Sequence, residues 1–386
     1  MTFKKIIHQI HLWLGLSTGL VVCVLGLTGA IYCFAPELQD LQPYRSVKQE
    51  NKPFLLPSQI QHIAEQTLPN KPLQRIYYDA EDKAVMVLCT KKEAYSYSIF
   101  INPYNGKVLK LRNNDKDFLS VVLKIHRTLG FSFGHEIIRW STVIFLLLLI
   151  SGLILWWPKK RRAIKSGLKI MWKASPKRLN YDLHKVLGFY STWVVIFTVL
   201  SGLIFAFEGF ANFTYALTGA NTSIIQKKPP TSNLTTASMT NKPAAIDIVW
   251  KAVAEPQLQS NYATAMFVLP TEETAAILLR ANPEKKTLYK TDFRYFDQYS
   301  GQEIAGAYVW GNYSDAHTAA DFIRRMNYDI HTGAILGLPS RVLLFFIALI
   351  VASLPITGFI FWWGKNKKSK IKIHRKDRPI LRQVYK

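Results

Sequence analysis

Residues 11–34 read HLWLGLSTGLVVCVLGLTGAIYCF, a run without any Asp, Glu, Lys or Arg. A helix that crosses a bilayer needs about 20 such residues, so Leu12–Phe34 predicts a membrane span. Lys4 and Lys5 precede it, as basic residues precede a signal sequence. The run is longer than the roughly 7–15 apolar residues of a signal peptide, and no small-residue cleavage site follows. We therefore interpret it as a retained transmembrane helix.

Three further stretches are long and apolar enough to span a bilayer. They run from about Trp140 to Trp157, Val186 to Phe207 and Val342 to Trp363. Pro355 lies within the last of them, where membrane helices tolerate a kink. The chain is 49% hydrophobic and 19% charged with 3 Cys in 386 residues, which excludes a disordered chain and a disulfide-dense secreted scaffold.

The net charge of +24 is unevenly distributed. Residues 4–5, 158–183 and 364–386 together carry 21 of the 49 basic side chains and only 2 of the 25 acidic ones. Cytoplasmic loops are rich in Lys and Arg, so we expect both termini inside and the segments 35–125 and 208–330 outside. The charge then indicates topology and contact with anionic lipids, and no nucleic acid as partner. We predict a bacterial inner (cytoplasmic) membrane protein with two regions in the periplasm.

The chain also repeats itself, which suggests two equivalent halves. Spans one and three share an initial His and a later hydroxyl–glycine pair: His11 with Thr28–Gly29, and His184 with Ser201–Gly202. Spans two and four share a preceding His and a later pair of the same kind: His126 with Ser151–Gly152, and His331 with Thr357–Gly358.

The outer segments match each other too. Each predicts an amphipathic helix (Pro57–Leu68 and Ala244–Ala254) followed by strands joined at a glycine turn (Gly106 and Gly301). The predicted fold is a mainly α membrane protein, a duplicated four-transmembrane-helix bundle with two small periplasmic α+β domains. The predicted transmembrane helices are 1–34, 126–157, 184–207 and 331–363, with outer domains at 35–125 and 208–330, a basic loop at 158–183 and a basic tail at 364–386. Residues 211–242 predict a linker.

Four of the nine histidines occupy equivalent positions of the duplication. A pseudo-twofold axis would pair His11 with His184 near the cytoplasmic face and His126 with His331 near the outer face. Two imidazoles that face each other across a helix bundle suit the axial ligation of one haem iron. The sequence therefore predicts two haems, with these four histidines as iron ligands.

Other interpretations of these residues stay open. A single interfacial His can extend to the lipid headgroups, and the small residues Gly15, Gly19, Gly26 and Ala30 of span one can serve close helix packing as well as leave room for a porphyrin. His8 and His135 are alternate ligands for the inner and outer sites. Arg139 and Arg341 are candidates to bind haem propionates or an anionic chelate. Glu37 and Glu208 are either walls of a substrate cleft or ordinary interfacial carboxylates.

Together the His blocks resemble the PepSY-associated transmembrane family. The resemblance rests on His11–Leu–Trp–Leu–Gly, Leu183–His184–Lys–Val–Leu–Gly, Ile125–His126–Arg–Thr–Leu–Gly and Asp329–Ile–His331–Thr–Gly, and the turns at Gly106 and Gly301 resemble the closing hairpin of the PepSY domain. It covers nearly the whole chain except the tail and residues 211–242. The family includes iron-regulated inner-membrane proteins and ferric-siderophore reductases of the FoxB type. The resemblance implies two haem b groups that move electrons from the cytoplasmic side or the quinol pool to a periplasmic ferric siderophore or other ferric chelate.

Two rival functions come from other classes. The chain could be a non-enzymatic membrane-anchored PepSY protein that binds or regulates a periplasmic peptidase, or a component of a transporter. The spans lack a carboxylate-rich midplane, and an anchor has no use for duplicated histidines at both faces. No nucleotide-binding glycine motif occurs, so we expect the electron donor to be a quinol or a separate cytoplasmic protein. Cys33 and Cys89 either pair or stay as buried thiols.

Overall fold

The computed structural model describes residues 2–91, 94–158, 162–220, 228–236, 244–260, 263–306, 308 and 310–376. Residues 159–161 of the predicted basic loop, 221–227 and 237–242 of the predicted linker, and 377–386 of the tail lie outside that set. The helices, in chain order, are α1 (Phe3–Tyr32), α2 (Ala35–Asp40), α3 (Pro57–Thr67), α4 (Phe118–Thr128), α5 (Gly134–Trp156), α6 (Arg162–Gly167), α7 (Pro176–Asp182), α8 (Gly188–Ala206), α9 (Glu208–Leu217), α10 (Ala245–Val249), α11 (Glu255–Ser260), α12 (Ala319–Thr332) and α13 (Leu338–Lys376). Single π-helical segments, Leu183–Leu187 and Trp250–Ala254, join α7 to α8 and α10 to α11.

The chain divides into two compact units. Residues 1–31, 125–206 and 342–386 form the first, which we call the helical unit. Residues 32–124 and 207–341 form the second, which we call the sheet unit. Each half of the duplication contributes to both units, because every outer segment leaves one span and returns to the next.

Four helices are long and apolar enough to cross a membrane, as the sequence predicted. They are Phe3–Tyr32, Gly134–Trp156, Pro176–Ala206 and Leu338–Gly364. The third begins at Pro176, before the predicted start, because α7 continues through the π-helical segment into α8 without a break. Pro355 lies inside α13 without ending it, so the chain is a membrane protein with four apolar helices.

His126 and His331, where the predicted transmembrane segments 126–157 and 331–363 begin, lie before the long helices α5 and α13. His126 lies in α4, which ends at Thr128, and α5 begins only at Gly134 after Leu129 and Gly130 turn left-handed with φ of 51° and 88°. His331 lies in α12, which ends at Thr332 because Gly333 caps it with φ 75°. A residue with positive φ closes the last helical turn and redirects the chain. Both histidines therefore lie on short helices that precede the spans.

The small face of α1 serves helix packing. A Cβ atom at Gly26 would lie 2.8 Å from the Ala348 carbonyl oxygen and 2.9 Å from the Ala352 Cβ, and one at Gly19 would lie 3.0 Å from the Pro355 Cβ. Only glycine permits so close an approach of α13 to α1. Of the two interpretations of this face, close packing applies to Gly19 and Gly26.

The sheet unit contains one sheet to which both predicted outer domains contribute. Its strands are β1 (Arg75–Tyr78), β2 (Val85–Lys91), β3 (Tyr95–Ile101), β4 (Val108–Asn113), β5 (Thr264–Val268), β6 (Ile277–Asn282) and β7 (Asp292–Phe296). All pairs are antiparallel in the order β4-β3-β2-β1-β5-β6-β7. At the centre Arg75 pairs with Val268 and Tyr78 with Ala265, so equivalent strands of the two halves meet. The predicted pair of separate domains is thus one unit, because joining two open edges satisfies the unpaired groups of both.

One hydrophobic core supports this joint sheet. Ile60 and Ala64 of α3, and Val249 and Trp250 from the second half, belong to the same buried cluster. Trp250 is 1% exposed, and its ring centroid lies 4.2 Å from that of Tyr78. The two halves therefore share their core, and neither half encloses one alone.

The two predicted glycine turns are present. Gly106 and Gly301 have φ of 74° and 71°, a conformation that L-residues with a side chain seldom adopt. In the first half the turn joins β3 to β4, whereas in the second the returning segment makes only an isolated bridge between Phe296 and Glu303.

Candidate functional site

His11 and His184 meet inside the helical unit. His11 lies on α1 and His184 in the π-helical segment at the start of the third span. Their ring centroids are 6.4 Å apart, and the ring planes are nearly perpendicular at 87°. The pairing of these two residues, inferred from the duplication, is therefore present in the structure.

Each of these rings is held at its Nδ1 atom by the helix of a following span. His11 Nδ1 lies 2.8 Å from the Ser151 Oγ of α5. His184 Nδ1 lies 3.0 Å from both the Leu354 carbonyl oxygen and the Thr357 Oγ1 of α13. With Nδ1 engaged, Nε2 is the nitrogen of each ring that remains for a metal.

A glycine lies beneath each ring. Gly152 follows Ser151, and a Cβ there would be 3.5 Å from the His11 Cε1. Gly358 follows Thr357, and a Cβ there would be 3.2 Å from the His184 Cε1. The hydroxyl holds the nitrogen and the glycine leaves space for the ring, so the two neighbouring residues form a cradle for the imidazole.

The same cradle recurs at His126. Its Nδ1 lies 2.8 Å from the Thr28 Oγ1 of α1, and a Cβ at Gly29 would be 3.4 Å from its Cε1. We call the pair His11 and His184 with their cradles the His11 level, and His126 with Thr28 and Gly29 the His126 level. Three of the four hydroxyl–glycine pairs thus contact an imidazole ring, a role that the sequence did not reveal.

The geometry of the His11 level fits a haem. Two imidazoles that bind one metal from opposite sides, each at about 2 Å, have ring centroids roughly 6 Å apart, and the observed separation is 6.4 Å. Metal-binding histidines also usually engage their second nitrogen with an oxygen acceptor, as both of these do. Two protein ligands suit an iron whose other positions a macrocycle fills.

The other predicted ligands are placed differently. His8 lies one turn before His11 on α1, and it is His11 whose ring meets His184. His135 is exposed and lies 3.6 Å from Glu136. His331 lies in α12 of the sheet unit, so its pairing with His126 stays a prediction.

The two predicted arginines have carboxylate partners. Arg341 is 4% exposed, and its Nη1 and Nη2 donate to Glu37 Oε2 and Oε1, both at 2.7 Å. Lys286 Nζ donates to the same carboxylate at 2.9 Å. The hydrogen bonds from Arg341 lower the pKa of Glu37 to about 2 against the opposing effect of burial. Arg139 donates to Glu136 at 2.7 Å, so a role of either arginine toward a propionate or chelate stays a prediction.

Arg324, which sequence reasoning missed, is a buried guanidinium on α12. It is 8% exposed, lies 4.6 Å from the centre of the Tyr215 ring, and approaches Asp321 only at 3.9 Å. Its Nη1 and Nη2 are buried without a hydrogen-bond partner in the described part of the chain. Arg324, Tyr328 and His331 follow at i, i+4 and i+7, which places them on one helix face. That spacing was the available signal, and orphaned donors of this kind fit a carboxylate such as a propionate.

A cleft of about 1090 Å³ lies in the sheet unit between segments of both halves. Its wall carries aromatic rings and more carboxylates than amines: Phe54, Tyr104 and Trp250; Glu50, Asp79, Glu81, Asp82 and Glu255; Lys52 and Lys285. Glu37, a candidate for the wall of a substrate cleft, is instead paired with Arg341. The cleft is large enough for a chelate-sized ligand.

The three cysteines are free. Cys33 and Cys89 are both buried, and burial raises the pKa of each thiol to about 11. Of the two outcomes left open for them, the structure has the unpaired one.

Comparison with known proteins gives one match. The family described as the PepSY-associated TM region matches residues 8–365. No curated protein matches the sequence. The matched range contains all four duplicated histidines and both units, as the resemblance of the His blocks predicted. The chain therefore belongs to the PepSY-associated transmembrane family.

Proposed function

We propose that this protein is a di-haem membrane reductase that passes electrons from a cytoplasmic or quinol donor to a ferric siderophore or other ferric chelate in the periplasm. The observation that carries the proposal is the His11–His184 pair, with its 6.4 Å centroid separation and both Nδ1 atoms engaged. We assign His126, which lies in the same kind of cradle, to a second haem together with His331.

The protein residues explain why such a site transfers electrons. Bound haem supplies a reversible one-electron carrier. His11 and His184 would both bind the iron, which would leave no coordination position for oxygen or substrate. The apolar helices around them exclude water, and the hydroxyl–glycine cradles limit rotation of the rings.

The spacing of residues along α1 gives the distance between the two histidine levels that electrons would cross. His11 and Thr28, which contacts His126, are 17 residues apart on α1, an axial rise of about 25 Å. This is close to the roughly 30 Å hydrocarbon thickness of a bilayer. The distribution of Lys and Arg assigns the His11 level to the cytoplasmic side and both termini to the cytoplasm.

The electron balance follows from one-electron steps. Each electron that leaves the donor converts one Fe(III) to Fe(II) in the chelate. A quinol donor releases two electrons and two protons as it becomes a quinone, and so serves two ferric ions in turn. Hard oxygen ligands hold Fe(II) more weakly than Fe(III), so reduction releases the metal for iron acquisition.

The chelate docks in the cleft of the sheet unit. Five carboxylates and two lysines line it, so we expect a cationic or neutral chelate to bind better than an anionic one. Phe54, which is only partly buried, provides apolar surface for the organic part of the ligand.

The test begins with the protein purified in detergent from haem-replete cells. We expect a b-type spectrum in the reduced-minus-oxidised difference and about two haems per chain. The dithionite-reduced protein should be reoxidised by a ferric hydroxamate chelate, with Fe(II) trapped by a ferrous-specific dye. A colourless preparation would exclude the redox function and support the non-enzymatic alternative, a membrane-anchored protein that binds a peptidase.

A further inference from the structure

The three cradle hydroxyls also bond to their own helices. Thr28 Oγ1 donates to the Val24 carbonyl oxygen at 2.6 Å, Ser151 Oγ to that of Leu147 at 2.7 Å, and Thr357 Oγ1 to that of Leu354 at 2.9 Å. A hydroxyl group has a single proton to donate. The carbonyl oxygen within reach allows each hydroxyl to donate along its own helix and to accept from the imidazole.

This geometry favours one tautomer of each histidine. With the hydroxyl proton on the helix carbonyl, Nδ1 of His11 and of His126 carries the proton that its hydroxyl partner accepts. His184 has in addition the Leu354 carbonyl oxygen at 3.0 Å from Nδ1, which has no proton to give. In this tautomer Nε2 is the unprotonated nitrogen, whose lone pair can bind a metal.

We propose that Thr28, Ser151 and Thr357 are positioning residues that fix the Nδ1-protonated tautomer of the histidines and set the redox potential of the haem that each histidine binds. A ligating imidazole that donates its second N–H to an acceptor is more basic toward the metal. A more basic ligand stabilises ferric over ferrous haem, so each hydroxyl lowers the midpoint potential. The part of this inference that concerns potential rests on the proposed haem function, whereas the tautomer does not.

The arrangement is reciprocal between the two levels. Helix α1 carries a ligand, His11, at one end and a cradle, Thr28 with Gly29, at the other. Helix α5 thus holds His11 of α1 through Ser151, while α1 holds His126 of α4 through Thr28. A shift of α1 along its axis would disturb the coordination at both levels together.

Two of the three rings have a carbonyl acceptor besides their hydroxyl. His184 Nδ1 lies near both the Thr357 hydroxyl and the Leu354 carbonyl oxygen, and His11 likewise has a backbone hydrogen bond at Leu148 besides the Ser151 hydroxyl. Ser151→Ala and Thr357→Val therefore each remove the hydroxyl and leave the carbonyl acceptor in place.

The experiment is a spectroelectrochemical titration of purified wild-type protein and the variants Thr28→Val, Ser151→Ala and Thr357→Val. Thr28→Val should shift the ferric–ferrous equilibrium of one haem by roughly tenfold, a rise of about 59 mV for a one-electron couple. Ser151→Ala and Thr357→Val should each raise the potential of the other haem by a smaller amount, because a carbonyl acceptor stays in place for both rings. Thr28→Ser should restore the wild-type potential, because it keeps the hydroxyl.

Thr18→Val is the matched control. Thr18 is another buried threonine of α1, and its Oγ1 donates to the Leu14 carbonyl oxygen at 2.9 Å in the same way. Its loss should leave both potentials unchanged. Wild-type potentials in Thr28→Val and Ser151→Ala at full haem content would overturn the proposal and leave the haem function standing.

A second measurement does not need haem. Nitrogen-15 spectra of histidine-labelled apoprotein in detergent should show protonated Nδ1 in the rings of His11, His126 and His184, each assigned by its alanine variant. Thr28→Val should change the His126 signal alone. An Nε2-protonated ring at these positions would overturn the tautomer assignment, whereas a wild-type protein that binds no haem would instead refute the proposed function.

Discussion

The His11 level and the His126 level use the same cradle but differ in how they are assembled. At the first, both ligands and both cradles belong to the helical unit, and the rings stand 6.4 Å apart. At the second, His126 and Thr28 belong to the helical unit while His331 lies in α12 of the sheet unit. The His11 level is therefore built within one unit, whereas the residue that the sequence pairs with His126 belongs to the other.

Removing one ligand of the His11 level should have the largest effect. We expect His184→Ala to reduce the haem content from about two to about one per chain, because a single remaining imidazole holds haem far less tightly. The measurement is haem per protein by alkaline pyridine spectra. His62→Ala is the control, since the His62 side chain is exposed on α3 and hydrogen-bonds to Gln66. Unchanged haem content in His184→Ala would remove His184 from the ligand set.

Breaking the Glu37–Arg341 pair tests the stability of the sheet unit. Glu37→Ala leaves the buried Arg341 without its carboxylate, at a cost of about 2 kcal/mol, which is below the roughly 3–5 kcal/mol of a fully buried pair because Glu37 is 33% exposed. Thermal unfolding in detergent would measure the loss. Glu50→Ala, which breaks the more exposed pair with Lys52, is the control and should change the stability little.

The same pair predicts a pH dependence. The pKa of Glu37 is lowered from 4.5 to about 2 in the folded protein, so its contribution is fully present above pH 4.5 and is lost as the pH falls from 4.5 toward 2. Wild-type protein should lose thermal stability over that window more steeply than Glu37→Ala. Identical acid profiles of the two proteins would contradict the assignment.

Arg324 tests whether a residue of the sheet unit contributes to haem retention. Arg324→Leu should weaken retention of one haem by roughly tenfold, because the buried guanidinium offers two unsatisfied donors to a propionate on the face that carries His331. Haem loss to apomyoglobin would measure it. Arg294→Leu, which removes a more exposed arginine of the same unit paired with Glu303, is the control. Normal retention combined with higher stability would make Arg324 a structural residue only.

The cradle glycines should have the smallest and most graded effects. A Cβ at Gly358 would approach the His184 Cε1 to 3.2 Å, so Gly358→Ala should displace the ring slightly and shift the haem spectrum. A Cβ at Gly152 would lie at 3.5 Å, an ordinary contact, so Gly152→Ala should be tolerated. Gly209→Ala, with open space around its Cβ, is the control. Equal effects at Gly358 and Gly152 would show that ring clearance is not the reason for glycine.

The sequence predicted the parts of this protein that depend on local composition. The four spans follow from apolar length, and the glycine turns at Gly106 and Gly301 follow from the positive φ that each turn requires. The pairing of His11 with His184 was predictable because a duplication implies equivalent positions for equivalent residues. The helix breaks after Thr128 and Thr332 were missed, since the apolar pattern continues on either side of them.

The sequence did not predict the contacts between distant segments. The hydroxyl–glycine pairs were visible as repeats, but only the packing of α5 and α13 shows that Ser151 and Thr357 reach the imidazoles. The Arg341–Glu37 fork joins residues about 300 positions apart, and no pattern specifies which carboxylate a buried arginine will find. The buried donors of Arg324 likewise appear only once α9 and α12 are folded together.

The sequence by itself determined that this is a four-span membrane protein with a duplicated set of histidines, because apolar length and internal repetition are properties of the chain alone. Tertiary structure decided that the two outer segments share one sheet, since β1 and β5 each leave an open edge that only the other half can pair. It also decided which groups hold Nδ1 of His11, His126 and His184, because each partner comes from a helix more than 90 residues away along the chain.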